Sequence, residues 1–276
     1  MEKEGHNLKE RVISAAVLIS LVILCMFTPY TRVLLFTAAA VLSVRELKNV
    51  FGLMKIKCVD WVVYAYIGGN AALCLLGLWF RISLEYYLAW MFLAMFAGMF
   101  AGIVDEDVHG PGAMATMGIL LYPMYPYAAI TLIGVSRGWV AVFVIACLST
   151  WICDSAALFG GKAFGTHKLA PYVSPHKTVE GAVWGAVSAF PTGVLCFYLL
   201  RFLHSPVDML TCIVVSLIAC SFGQVGDLAA SLLKRMVGLK DYSNLIPGHG
   251  GMMDRADSLL FSIPVAWFCL HLAHAI

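Results

Sequence analysis

The chain of 276 residues is 61% hydrophobic and only 12% charged, with a mean hydropathy of +0.87. Soluble domains sit at about 45–50% apolar, so this composition excludes an ordinary soluble domain and points to an integral membrane protein. A net charge of +2 carries no argument for nucleic acid, and no nucleic-acid partner is expected.

About nine apolar segments reach the roughly 20 residues that a spanning helix needs. They lie near 11–30, 33–51, 60–80, 86–104, 113–135, 138–160, 179–203, 208–230 and 258–275. The expected fold is all-α: a polytopic helical membrane protein with about nine transmembrane helices and a cytoplasmic N-terminus. Three three-helix regions, 1–81, 82–160 and 161–276, are expected to form one integrated membrane domain, the last carrying the cytoplasmic loops. The first segment follows Lys9 and Arg11, but its apolar run is longer than a secretory signal's, and no small-x-small cleavage pattern follows, so it reads as a retained span.

Lysine and arginine set the orientation. With the N-terminus inside, the inner loops and tail hold 14 of these residues and the outer turns only four, Arg32, Arg81, Arg137 and Arg201. The residues between 231 and 257 then face the cytoplasm and Ile276 faces out.

In chain order, the first inner loop, Arg45 to Lys57, is basic, which suits either anionic headgroups or orientation alone. Asp105, Glu106, Asp107 and His109 could hold a metal but read more simply as a solvated turn. Pro123 and Pro126 should kink segment 113–135, and Ser136-Arg137-Gly138 makes a very short turn to the next. The nine cysteines form no CxxC pair and read as small packing residues.

Polar chemistry gathers in two stretches. From 154 to 181, Asp154 lies inside an apolar run and is followed by Gly160, Gly161, Lys162, Gly165, His167, Lys168, Ser174, Pro175, His176, Lys177 and Thr178. Glycines admit close backbone approach, and the basic groups suit phosphate. From 231 to 257, seven full charges, His249 and four glycines fall within 27 positions. Just before them, Asp227 shares one helical face with Ser231 and Lys234 at i, i+4 and i+7, with Arg235 beside them. A carboxylate at the centre of a membrane helix costs roughly 2.5–3.5 kcal/mol, less near an end, so Asp227 should face a partner. Pro247 to Gly251 reads as a loop whose backbone N–H groups could cradle phosphate. Gly223, Gln224 and Gly226 should let helices approach closely around Asp227.

Ser231, Lys234, Arg235, Lys240, Asp241 and Ser243, followed by Pro247, His249, Gly250, Gly251, Asp254, Arg255 and Asp257, closely resemble the signature of phosphatidate cytidylyltransferases, also called CDP-diacylglycerol synthases. The upstream Asp154-Ser155 pair, the run from Gly161 to Pro171 and the run from Ser174 to Gly181 resemble the same family in the same order. Ala256 stands where the family has a larger apolar residue, and Val179 replaces a common tryptophan. The likeness is specific over most of 150–265 and rests on hydrophobic pattern alone in the N-terminal half.

The resemblance implies attack of a phosphatidic acid oxygen on the α-phosphorus of CTP, giving CDP-diacylglycerol and pyrophosphate within phospholipid biosynthesis. Two polyanions must meet, so cations are needed. Asp227 and Asp254, with Asp257 and Asp154, are expected to hold Mg2+, as one ion or two. Asp227, Lys234, Arg235, Asp254 and Arg255 are the expected catalytic set. The expected substrate-binding residues are Lys168, Ser174, Lys177, Thr178, Ser231, Lys240, Asp241, His249, Gly250 and Gly251. Expected partners are CTP, phosphatidic acid and the bilayer, with a homodimer left open, in a bacterial-type inner membrane with the site facing the cytoplasm. A CTP-dependent polyprenol kinase and a membrane transporter remain alternatives, the latter disfavoured because no internal repeat is found.

Overall fold

The computed structural model describes residues 16–17, 20–246, 248 and 250–276. Most of the first apolar segment, and Pro247 and His249, therefore lie outside the described residues. Residues 20–26 are helical.

The chain divides into two compact units, 1–135 with 237–255 and 136–236 with 256–276. The first holds α1 (Pro29–Leu53), α2 (Asp60–Gly77), α3 (Leu84–Val104), α4 (His109–Ile119) and α5 (Tyr125–Val135). The second holds α6 (Trp139–Phe164), the strands β1 (Lys168–Ala170) and β2 (Ser174–Thr178), α7 (Val179–Phe202) and α8 (Met209–Met236). A single turn, α9 (Met253–Ala256), precedes α10 (Leu259–Leu272), which closes the second unit.

Local rules explain where these helices begin. Thr28 caps α1 in a reciprocal box with Thr31, and Pro29 follows at the first helical position, where its missing N–H costs nothing. The buried stripe of α1, Val33, Ala40, Val44, Leu47 and Val50, repeats at helical spacing, and Glu46 shares that face. The expected kink falls at Tyr122, whose backbone is extended because the residue before Pro123 is kept out of the helical region. Pro126 instead sits in the first turn of α5 and breaks nothing.

Among the described residues, five stretches, Leu84–Val104, His109–Val135, Trp139–Phe164, Val179–Phe202 and Met209–Met236, are long and apolar enough to cross a bilayer. α3 displays Leu88, Phe92, Phe96, Phe100 and Ile103 outward, as a lipid-facing helix does. The protein is an all-α integral membrane protein. The other predicted spans differ in kind: α1 carries Arg32, Arg45, Glu46 and Lys48, α2 opens on Asp60 and contains Asn70, and α10 has 14 residues.

Three details depart from the sequence reading. α8 runs to Met236 rather than 230, and α6 to Phe164 rather than 160. Hydropathy marks where a helix leaves the apolar layer, whereas its hydrogen bonds continue, and Lys234 and Arg235 favour a helix C-terminus. Residues 168–178, read as a loop, form an antiparallel hairpin pairing Lys168 with Thr178 and Ala170 with Ser174. Cys153 and Cys220 are joined in a disulfide with Cα atoms 6.0 Å apart, where packing alone was expected. Their spacing of 67 residues on separate helices carries no sign of it. The acidic turn behaves as expected of a solvated loop: Lys57 donates to Asp107 at 2.7 Å and holds its carboxyl below the usual range.

Candidate active site

Small residues shape the second unit before its charges do. Gly181 and Gly185 face α6: a Cβ on Gly181 would lie 2.7 Å from the Ala157 carbonyl oxygen, and one on Gly185 would lie 2.9 Å from Cys153 Sγ. On α8, a Cβ on Gly226 would stand 2.5 Å from the Asp257 carbonyl oxygen. The expected close approach beside Asp227 is thus present, and it sets Asp257 against the helix that bears Asp227. Backbone cannot yield as a side chain can, so Gly226→Val is expected to destabilise the detergent-solubilised protein by about 1–3 kcal/mol, checked by thermal unfolding.

Asp227 is held from two directions. Ser231 Oγ donates to its Oδ1 at 3.3 Å across one helical turn, and Lys177 of β2 pairs with its Oδ2. This ion pair ties the 154–181 stretch to α8 within the second unit. Arg235 Nε donates to the Val173 carbonyl at 3.1 Å, a second tie between α8 and the hairpin. Lys234 is buried, while Lys168 and Asp154 are exposed and Ser174 is partly so.

Asp257 reports the electrostatics. Burial pushes its carboxyl up to about 7, and the neighbouring Asp227 charge adds to the shift. A hydrogen bond from its neighbour Ser258 and the charge of Lys234 pull the other way, and Asp154 raises it further. Asp227 and Asp154 therefore both lie near enough to act on Asp257. Among the described residues, however, no three His, Cys, Asp or Glu side chains are gathered closely enough to be a ready-made metal cluster.

Two side chains hold this region in ways the residue types alone did not indicate. Thr178, expected to bind substrate, caps α7: its Oγ1 accepts from Gly181 N at 3.1 Å. Glu180 accepts from Thr166 N at 3.1 Å and Oγ1 at 2.7 Å, and meets His167 Nδ1 at 2.6 Å, so it pins the turn before β1.

In the first unit, the loop from 240 to 255 folds around two acids. Asp254 Oδ2 accepts from Tyr242 N at 2.9 Å and Gly251 N at 3.0 Å. Ile246 N donates to the Gly250 carbonyl at 2.9 Å. Gly250 has φ +79°, where a side chain would be strained. The second acid is Glu46, from α1: it accepts from Ser243 Oγ, Met252 N and Met253 N at 2.6, 2.9 and 2.8 Å. Of the N–H groups expected to cradle phosphate, that of Gly251 donates to Asp254 in this structure. Lys240, Asp241 and Arg255 are exposed. Asp227, Ser231, Lys177 and Asp257 come together in the second unit, and Gly250, Gly251 and Asp254 in the first. Glu46 was missed; its only signal was a carboxylate set between Arg45 and Lys48 near the end of a largely apolar segment.

The model of the cytidylyltransferase family matches residues 9–273. A phosphatidate cytidylyltransferase of Haemophilus influenzae is 31% identical over 93% of this chain and 96% of its own length. Those of Bacillus subtilis and Staphylococcus aureus are 44% and 40% identical over 46% and 43% of the chain, and these matches span 46% and 44% of the relatives, less than half their length. With a family match that runs nearly from end to end, this chain belongs to the cytidylyltransferase family.

Proposed function

We propose that the chain is a phosphatidate cytidylyltransferase, converting CTP and phosphatidic acid to CDP-diacylglycerol and pyrophosphate. The observation that carries this reading is its likeness, over 93% of its length, to the Haemophilus influenzae protein of that name. The site lies at the cytoplasmic face of a bacterial-type inner membrane, in a chain of about nine spans with its N-terminus inside. The lipid keeps its acyl chains in the bilayer and presents its phosphate at the surface.

In the reaction, a phosphatidate oxygen attacks the α-phosphorus of CTP. A new P–O bond forms, the bond to the β-phosphate's bridging oxygen breaks, and pyrophosphate leaves with the electron pair. The nucleophile is already anionic, so no general base is required, and rate comes from positioning and charge stabilisation. Like charges 4 Å apart repel by about 4 kcal/mol at an effective dielectric near 20, so several positive groups are needed. Lys234 and Arg235 at the end of α8, with Lys240 and Arg255 on the loop, supply them.

The carboxylates of the second unit suit a hard divalent cation. Asp257 is an oxygen donor within the field of Asp227 and Asp154, and burial holds its carboxyl up against the opposing pull of Lys234. When bound, Mg2+ would neutralise phosphate oxygens. Lys177 would then leave Asp227 and turn to a phosphate. Asp254 holds the loop and, on the sequence signature, also serves the cation.

Purified protein given radiolabelled CTP, phosphatidic acid and Mg2+ tests the reading. CDP-lipid with pyrophosphate supports it, phosphorylated lipid with CDP indicates a kinase, and unchanged nucleotide indicates a transporter. Lys240→Ala is expected to raise the KM for CTP about five- to tenfold, the worth of one exposed charge-assisted phosphate contact, without altering membrane insertion. An unchanged CTP dependence removes Lys240 from triphosphate binding.

A further inference from the structure

The loop that carries half of the family signature is anchored from outside the signature. Glu46 lies on the buried face of α1 at 4% exposure. Its Oε1 takes the Ser243 hydroxyl and the Met252 N–H, and its Oε2 takes the Met253 N–H. It therefore grips both ends of the segment between 243 and 253. Gly251 fits the same grip, because a Cβ there would stand 2.6 Å from Glu46 Oε1. Lys240 and Asp241 precede the gripped segment with only Tyr242 between, and Asp254 and Arg255 follow it directly.

We propose that Glu46 is a positioning residue for CTP: its carboxylate presets the loop that presents Lys240 and Arg255 to the triphosphate. Hydrogen bonds to a charged acceptor are the strong ones, and three of them on one carboxylate are enough to order a short glycine-rich segment. A loop ordered beforehand costs no conformational entropy when the nucleotide binds, whereas a loop released from its anchor charges that cost to the binding step. Glutamine cannot replace the acid. It keeps one acceptor oxygen but, in either orientation, turns an NH2 toward a backbone N–H, that of Met252 or of Met253, which can only donate. The kinetic consequence rests on the cytidylyltransferase reading; the grip itself does not.

The test uses the full chain in detergent micelles containing phosphatidic acid, with two readouts. The first is amide hydrogen exchange in Glu46→Gln, where the 243–253 segment is expected to exchange at least tenfold faster while α1 is unchanged. The second is kinetic: Glu46→Gln raises the KM for CTP about tenfold and leaves that for phosphatidic acid within twofold. Ser243→Ala, which removes one of the three bonds, raises the CTP KM about threefold. Glu46→Asp, which keeps the charge, falls between wild type and Glu46→Gln. An unchanged exchange rate and CTP KM in folded Glu46→Gln overturns the proposal, as does an equal rise in both KM values. Should Glu46→Gln fail to fold, Ser243→Ala decides by the same criteria. Should wild type make no CDP-lipid, the enzymatic reading fails and exchange alone decides the grip.

Discussion

Asp227→Asn is expected to lower CDP-diacylglycerol synthesis by about a thousandfold or more while the protein stays folded in detergent. Asparagine keeps the shape of the carboxylate and can still accept from Ser231, so α8 is undisturbed. What disappears is the negative charge that Lys177 neutralises in this structure and that a divalent cation would neutralise during turnover. The Lys177 and Asp227 side chains are 30% and 29% exposed, so screening leaves their pairing worth little to stability, at most about 1 kcal/mol. A large loss of rate with a small change in unfolding temperature is thus the signature of a functional carboxylate. The measurement is conversion of radiolabelled CTP across a range of Mg2+ concentrations. Wild-type turnover in Asp227→Asn would take the residue out of the cation site, and Lys177→Met run beside it separates loss of the ammonium from loss of the acid.

The second large effect is expected at Asp254. Its Oδ2 accepts two backbone N–H groups, from Tyr242 and Gly251, which by itself would make it an organiser of the loop. Asn can present its amide oxygen to the same two donors, whereas Ala leaves two buried donors without a partner, at about 1–3 kcal/mol each. Asp254→Asn therefore tests charge apart from loop geometry. We expect kcat to fall about a hundredfold or more in Asp254→Asn with unfolding temperature preserved, and Asp254→Ala to lose both activity and stability. If Asp254→Asn works within a few-fold of wild type, the acid serves the loop alone and has no part in neutralising phosphate.

Much of this was legible before any coordinates. Asp227, Ser231 and Lys234 share a face because helical spacing puts them there, and the Ser231–Asp227 hydrogen bond follows from that spacing. Gly226 announced close packing, and it meets the Asp257 backbone. Other roles were not legible because a residue type does not say which partner will reach it. Thr178 has the right chemistry for phosphate, but a threonine before Val179 and two residues before Glu180 is equally a helix cap, and capping is what it does. Gly251 suited a phosphate cradle, yet its N–H goes to an acid three residues on.

Composition, hydropathy and spacing alone pointed to an all-α membrane protein and its two polar stretches, and the resemblance of those stretches to a known signature pointed to the family. These properties are carried by residue identity and by neighbours within a few positions, which the linear order contains. The pairing of Lys177 with Asp227, the disulfide between Cys153 and Cys220, and the hold of Glu46 on residues 243–253 were decided by tertiary structure. Each joins positions 50 or more residues apart. A buried carboxylate must find donors wherever the fold brings them, and nothing in its own neighbourhood of sequence says where that will be.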